Sequence, residues 1–197
     1  MAFIETVPEE QASPAVARMY EADRTSAGTL PNYTRAFSHR PDVYAAWKQL
    51  GAALRQNMDA RRYELATLAA ARRLRSSYCA LAHGTILAEQ HLSPAELDAI
   101  VDDRTDAFDD VDAAVMRLAD RVAADATQVT QADIDELRAL GLDDAEIFDV
   151  VATAALRCFF SKTLDGLGVL ADARYAELEP RLRDALTVGR PIAATPA

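Results

Sequence analysis

A thiol and an imidazole stand four residues apart, at Cys79 and His83, in a chain of 197 residues that holds two cysteines and three histidines. On a helix this spacing puts both side chains on one face, where the ring can take up the thiol's proton and return it. The surrounding run is Ser76-Ser77-Tyr78-Cys79-Ala80-Leu81-Ala82-His83, and Glu64 lies about one helix upstream. With Ser76 as the cap of a fresh helix, Cys79 becomes its third residue, where unpaired amides and the positive end of the helix dipole favour a thiolate. His83 then holds the displaced proton, and a carboxylate at Glu64 orients the ring or relays protons through water. Each residue also has a plainer reading: Cys79 as a small core residue, His83 as a hydrogen-bonded core histidine, Glu64 as an exposed helix charge. Their joint spacing is what sets them apart. Ser76 reads as a cap rather than a reacting hydroxyl, with Tyr78 beside it as a second supporting residue.

Other reactive side chains carry less. His39 precedes Pro41 in a loop and His91 ends a helix, so neither has ligand spacing. Cys79 with His83 supplies two donors where a metal needs three or four, and no metal or cofactor is expected. Cys158 reads as a packed apolar residue. Arg61, Arg62, Arg72 and Arg73 are placed toward solvent or an acidic neighbour, with some able to support a thiolate or an anionic substrate at the Cys79 helix.

The elements that must position these groups are all helical. Ser13-Pro14 opens a helix to about Thr25, broken by Ser26-Ala27-Gly28. Pro31 opens a short helix to Ser38, and Pro41 a longer one to about Asn57. Asp59 caps the next, with Tyr63, Ala66, Thr67 and Ala70 facing inward, and Ser76-Ser77 breaks it and starts the helix of Cys79. Ser93-Pro94-Ala95-Glu96 is a capping box for a helix to Val101, followed by an acidic connector from Asp102 to Asp110. Helices follow over 111–125, from Thr130 to a close at Gly141, and from Asp144 to about Ser161. Pieces over 162–169 and 171–186 come last, and the tail from Gly189 is expected to be mobile. No stretch alternates with strand periodicity, so no sheet is expected. An internal echo aligns Asp59–Glu64 with Asp144–Asp149 and sets Ser76 opposite Ser161, which suggests two related helical halves. Leu164 and Gly168 stand opposite Cys79 and His83, so one half alone carries the chemistry.

Composition bounds the partners. Half the residues are apolar and the net charge is -10, a field that repels nucleic acid and anionic membrane surfaces and leaves a small molecule as the better partner. No apolar run approaches spanning length and the N-terminus lacks an export signature, so a single cytoplasmic domain over 1–197, with reduced thiols, is expected.

The constellation resembles the carboxymuconolactone decarboxylase and alkylhydroperoxidase-D-like family, marked by Cys-x-x-Cys-x-x-x-His with a glutamate twelve residues before the first cysteine. Glu64, Ser76, Cys79 and His83 occupy those four places. The likeness continues through Leu30-Pro31-Asn32-Tyr33, His39-Arg40-Pro41, Leu140-Gly141-Leu142-Asp143-Asp144-Ala145-Glu146-Ile147 and Leu164-Asp165-Gly166-Leu167-Gly168, covering most of a core at about 28–170. The resemblance implies an all-α fold of two similar halves and homo-oligomers, often trimers or hexamers. It also implies one of two chemistries: thiol-dependent peroxide reduction, or decarboxylation of a lactone. Ser76 departs from the pattern, because a serine can hydrogen-bond the Cys79 thiolate but cannot form a disulfide with it. Three readings follow, in this order. The first is a peroxidase with one peroxidatic thiol, Cys79, that needs an external thiol reductant. The second is a lyase or isomerase in which Glu64 and His83 transfer protons on a small carboxylate or lactone and Cys79 only lines the pocket. The third is a non-catalytic binding or assembly protein.

Overall fold

The computed structural model describes residues 2–195. Ten α-helices follow one another: α1 (Pro14–Ala27), α2 (Asn32–Ala36), α3 (Pro41–Asn57), α4 (Ala60–Arg73), α5 (Ser77–Gln90), α6 (Pro94–Val101), α7 (Asp110–Asp125), α8 (Gln131–Ala139), α9 (Asp144–Gly166) and α10 (Pro180–Leu186). Among the described residues there is no strand, only an isolated bridge between Ala171 and Ile192, and no helix is long and apolar enough to cross a membrane.

The helix starts follow from their caps. Ser13 accepts from the Val16 amide and Asp59 from the Arg62 amide. Ser93 and Glu96, and Asp143 and Glu146, form reciprocal capping boxes for α6 and α9. Each satisfies amides that the first helical turn leaves free.

At the centre lies α4, packed against α5, α7 and α9. Every residue from Tyr63 to Ala71 is buried, so α4 is enclosed on all sides and not only along the face of Tyr63, Ala66, Thr67 and Ala70. Its alanines let three neighbours approach closely, and that is what removes the polar face an amphipathic reading assigns it. Its four arginines sit at the two ends and find acidic neighbours. Arg61 and Arg62 meet Asp112, Arg72 meets Asp103 and Arg73 meets Asp120. None of these pairs involves the Cys79 helix.

Three expectations are corrected. First, the helix expected to end near Ser161 runs unbroken to Gly166. The α4–α5 junction turns at Arg75, whose φ is 55°; the aligned position in α9 is Phe160, held in helix by stacking on Trp47 and Phe37. Second, Ser76 precedes α5 but does not cap it. Its ψ of 94° turns the hydroxyl from the first-turn amides that Ser13 and Ser93, both at ψ 162°, do reach. Third, the tail is pinned through Ala193. The Gly189 amide donates to Ser77 Oγ at 2.8 Å, Arg190 donates to the Asp165 carbonyl, and the Ala193 amide donates to the Ala171 carbonyl at 2.9 Å. The last two residues of the expected mobile tail lie outside the described residues.

Candidate active site

Glu64 enters the interior on the second turn of α4. It is 8 % exposed. From α5, one turn apart, come Cys79 and His83, with Cys79 at the third helical position. The His83 ring closes on Glu64 through Nδ1 and Oε2 at 2.5 Å. A fourth group arrives from α9: Arg157, 3 % exposed, whose Nη1 donates to Cys79 Sγ at 3.5 Å. Cys79, His83 and Arg157 line one cavity of about 610 Å³, and Glu64 sits behind His83.

The charge states follow from burial and neighbours. Burial alone would push the Glu64 carboxyl up, but His83, Arg157 and Arg55 together outweigh it and hold it below the ordinary range. Burial first, then Arg157, pushes His83 below its ordinary value of 6.5, against the pull of Glu64. The stable arrangement near neutrality is an ionised Glu64 beside a neutral imidazole. An ionised carboxylate can only accept, so the Nδ1 proton is assigned to that bond and Nε2 keeps the basic lone pair.

Tyr78 works at a distance from the sulfur. Its hydroxyl donates to Asp172 Oδ2 at 2.6 Å, and Asp172 Oδ1 takes the Asn32 amide at 2.8 Å. This ties the first turn of α5 to α2 and to the segment after α9. Burial and then the Asp172 charge push the phenol far above its usual range. Tyr33, Trp47, Phe160 and Tyr175 complete an aromatic wall, and burial with the Asp23 charge pushes Tyr33 up to about 12. Ser76 Oγ is buried without a hydrogen-bond partner, so it does not hydrogen-bond Cys79. Cys158 does not line the cavity, and burial pushes its thiol up.

Arg157 is the residue that sequence reasoning missed. A signal existed, since it is the single basic residue between Asp149 and Phe160, and a charge inside an apolar helix is seldom idle. With Arg55 and Arg174 it forms a trio of cavity-lining arginines that have no carboxylate within 4.0 Å among the described residues, whereas most arginines of the chain are paired. The arrangement can hold negative charge on a sulfur or a ligand and can move a proton through His83.

Residues 41–121, a stretch that includes Glu64, Ser76, Cys79 and His83 but not Arg157, match the carboxymuconolactone decarboxylase family. No curated protein matches the chain. Among solved structures, an alkylhydroperoxidase AhpD core, an uncharacterized peroxidase-related protein from Ralstonia eutropha JMP134, is similar with a TM-score of 0.75 at 20 % identity, over 96 % of this chain and 98 % of that one. A peroxidase-related protein from Silicibacter sp. TM1040 gives 0.71 at 16 %, over 89 % and 91 %. The debrominase Bmp8 gives 0.70 at 14 %, over 92 % and 94 %. At such identities the likeness establishes the fold.

Proposed function

We propose that this protein, whose residues 41–121 belong to the carboxymuconolactone decarboxylase family and whose fold is alkylhydroperoxidase-D-like, is a thiol-dependent peroxidase-type oxidoreductase with Cys79 as its single attacking thiol. The observation that carries this reading is the meeting of Cys79 with the Arg157 guanidinium in the cavity that also holds the Glu64-anchored His83. His83 Nε2 takes the thiol proton, and the resulting imidazolium is stabilised by Glu64 while Arg157 holds the charge on sulfur. The thiolate attacks the terminal oxygen of a hydroperoxide. The S–O bond forms as the O–O bond breaks, and the leaving alkoxide takes the proton from His83 and departs as an alcohol. Cys79 is left as a sulfenic acid. One external thiol condenses with it to a mixed disulfide, releasing water, and a second returns Cys79 to thiol and leaves as a disulfide. Ser76, standing where the family pattern has a cysteine, makes the external reductant necessary.

The test is peroxide consumption supported by dithiothreitol, with dimedone trapping. Wild type turns over and is labelled at Cys79, and Cys79→Ser does neither. Turnover that survives Cys79→Ser rejects the assignment.

One observation favours a second reading. The Glu64–His83 pair is complete without the thiol, and the unpaired cavity arginines suit a carboxylate. A lyase or isomerase of that kind tolerates Cys79→Ala and is abolished by His83→Ala.

A further inference from the structure

Returning Cys79 to its thiol places two demands on the reductant, and the cavity bears on both. The first is size. Cys79 is 2 % exposed, on the first turn of α5, and it lines the cavity. A mixed disulfide holds the α-carbons of its two cysteines within about 7 Å of each other. A cysteine of a folded protein would therefore have to carry its own backbone past Tyr33, Trp47 and Tyr175, which wall the cavity. The chain's other thiol, Cys158, does not line the cavity. A small free molecule is under no such restraint. The cavity volume of about 610 Å³ lies within the ~300–1,000 Å³ of sites that take small organic ligands.

The second demand is charge. The chain carries a net charge of -10, yet Lys48, Arg55, Arg157 and Arg174 line the cavity against only two carboxylates, Asp23 and Glu89. Lys48 and Asp23 neutralise each other at 2.8 Å, which leaves three guanidiniums and Glu89. Arg157 is engaged with Cys79, and its buried Nε has no hydrogen-bond partner. Arg55 and Arg174 are exposed and form the mouth of the cavity. Each is held against a ring: Arg55 over Tyr63 at 5.5 Å, and Arg174 over Tyr175 at 5.0 Å with Nη2 donating to the Tyr175 hydroxyl at 3.2 Å. A guanidinium lying on a ring keeps donors along its edge to spare, and that edge matches a carboxylate. The peroxide step leaves this pair unused, since His83 protonates the leaving oxygen and the product is a neutral alcohol.

We propose that the reductant is a low-molecular-weight thiol that carries a carboxylate, which Arg55 and Arg174 hold while the thiol reaches Cys79. This inference rests on the peroxidase chemistry proposed above and names the class of its second substrate. The first thiol condenses with the Cys79 sulfenic acid: an S–S bond forms, the S–O bond breaks, and the hydroxyl leaves as water with the thiol proton. In the mixed disulfide the carboxylate keeps the bound molecule on the arginines. A second thiolate then attacks the outer sulfur, the one that came from the first molecule. The bond to Cys79 breaks, and the Cys79 thiolate leaves beside the Arg157 guanidinium, 3.5 Å away, and takes up the second thiol's proton. The two electrons lost by the pair of thiols are those that the hydroperoxide gained.

The experiment is steady-state kinetics on the full chain with cumene hydroperoxide and four reductants: glutathione, its diethyl ester, dithiothreitol and reduced thioredoxin. Ping-pong kinetics gives kcat/KM for the thiol separately from that for the hydroperoxide. The expected kcat/KM for glutathione is about tenfold or more above that for the ester, as when a charge-assisted hydrogen bond is lost, and it is also above that for thioredoxin. Arg174→Gln and Arg55→Gln should each narrow the glutathione-to-ester ratio, and Arg174→Lys, which keeps the charge, should narrow it less. Each thiol's own reactivity is the same with every variant, so the change in ratio reads recognition alone. A wild type that turns over with dithiothreitol but takes glutathione and its ester equally overturns the proposal and leaves the peroxidase reading standing. So does thioredoxin that matches glutathione, a ratio that neither Gln substitution moves, or an arginine substitution that lowers kcat/KM for the hydroperoxide alone. A wild type that turns over with none of the four removes the peroxidase reading and this proposal with it.

Discussion

At the scale of single residues, the pair that sets the protonation of the site is tuned from two sides. Arg157 pushes the His83 pKa down while Glu64 pulls it up, and burial decides the balance in favour of the neutral ring. If His83 is the base of the proposed reaction, its basic form is therefore present above a pKa lower than the ordinary 6.5. Cys79 reactivity toward iodoacetamide or peroxide should hold as pH falls through 6.5 and fail below it. Arg157→Gln removes a lowering charge, so the acid limb should move to higher pH. Glu64→Gln removes the raising charge, so the limb should move to lower pH. Opposite displacements measured by stopped-flow alkylation check the account, and equal or absent displacements reject it. His83→Ala should cost about 10²–10⁴ in rate, as loss of a positioned base does. The same pair bears on stability. A histidine whose folded pKa lies below its unfolded one leaves the unfolded chain binding more protons, so stability falls as pH drops below 6.5. That Cys79 and His83 share one helical face could be read ahead because their spacing is local and periodic, whereas the place of Glu64 on the preceding helix was readable through the family pattern. Arg157 was not, because its partner is a sulfur 78 residues away, and no local pattern encodes that meeting.

At the scale of elements, α5 is held in place by the C-terminal segment, which lies outside the matched family stretch. Leu186 of α10 rests on Gly84, next to His83, where a Cβ would come within 2.5 Å of Leu186 Cδ1. Gly189 lies against the α4–α5 turn, where a Cβ would stand 1.9 Å from the Arg75 carbonyl oxygen. These two contacts predict different outcomes. Gly84→Ala meets the end of a flexible side chain and should cost about 1–3 kcal/mol, as overpacking does. Trimming the obstacle in the Gly84→Ala/Leu186→Ala double variant should give a smaller loss than the two single losses added together. Gly189→Ala meets backbone, so the tail must detach, with loss of protection at the Gly189 and Ala193 amides in hydrogen exchange. Additive losses in the double variant, or protection retained in Gly189→Ala, would show that these contacts do not hold α5. Helix starts at Ser13, Asp59 and Ser93 could be read ahead because a cap is a local device. The tail could not, since polar, glycine- and proline-containing ends look mobile until a distant carbonyl such as that of Ala171 fixes them.

At the scale of the whole molecule, four of the six large apolar side chains exposed among the described residues, Val43, Leu50, Phe148 and Phe159, belong to α3 and α9. The all-helical class followed from composition and caps, but this grouping appears only once α3 and α9 are side by side. Its consequence is a specific salt dependence. Two chains of net charge -10 repel each other over the whole of their facing surfaces, while a contact made on the exposed apolar flank of α3 and α9 would contribute apolar burial and few ion pairs. Raising the ionic strength from about 10 mM to about 150 mM shortens the screening length from ~30 to ~8 Å. Repulsion between the bodies then fades and the apolar contact is left intact. Association between copies should therefore become several-fold tighter with added sodium chloride, as measured by sedimentation equilibrium on the wild-type chain. A contact built on salt bridges behaves in the opposite way, because screening removes its attraction. Dissociation promoted by salt would thus place the interface on the charged arginine and aspartate surfaces of α7 and α8 instead of on the exposed apolar flank of α3 and α9.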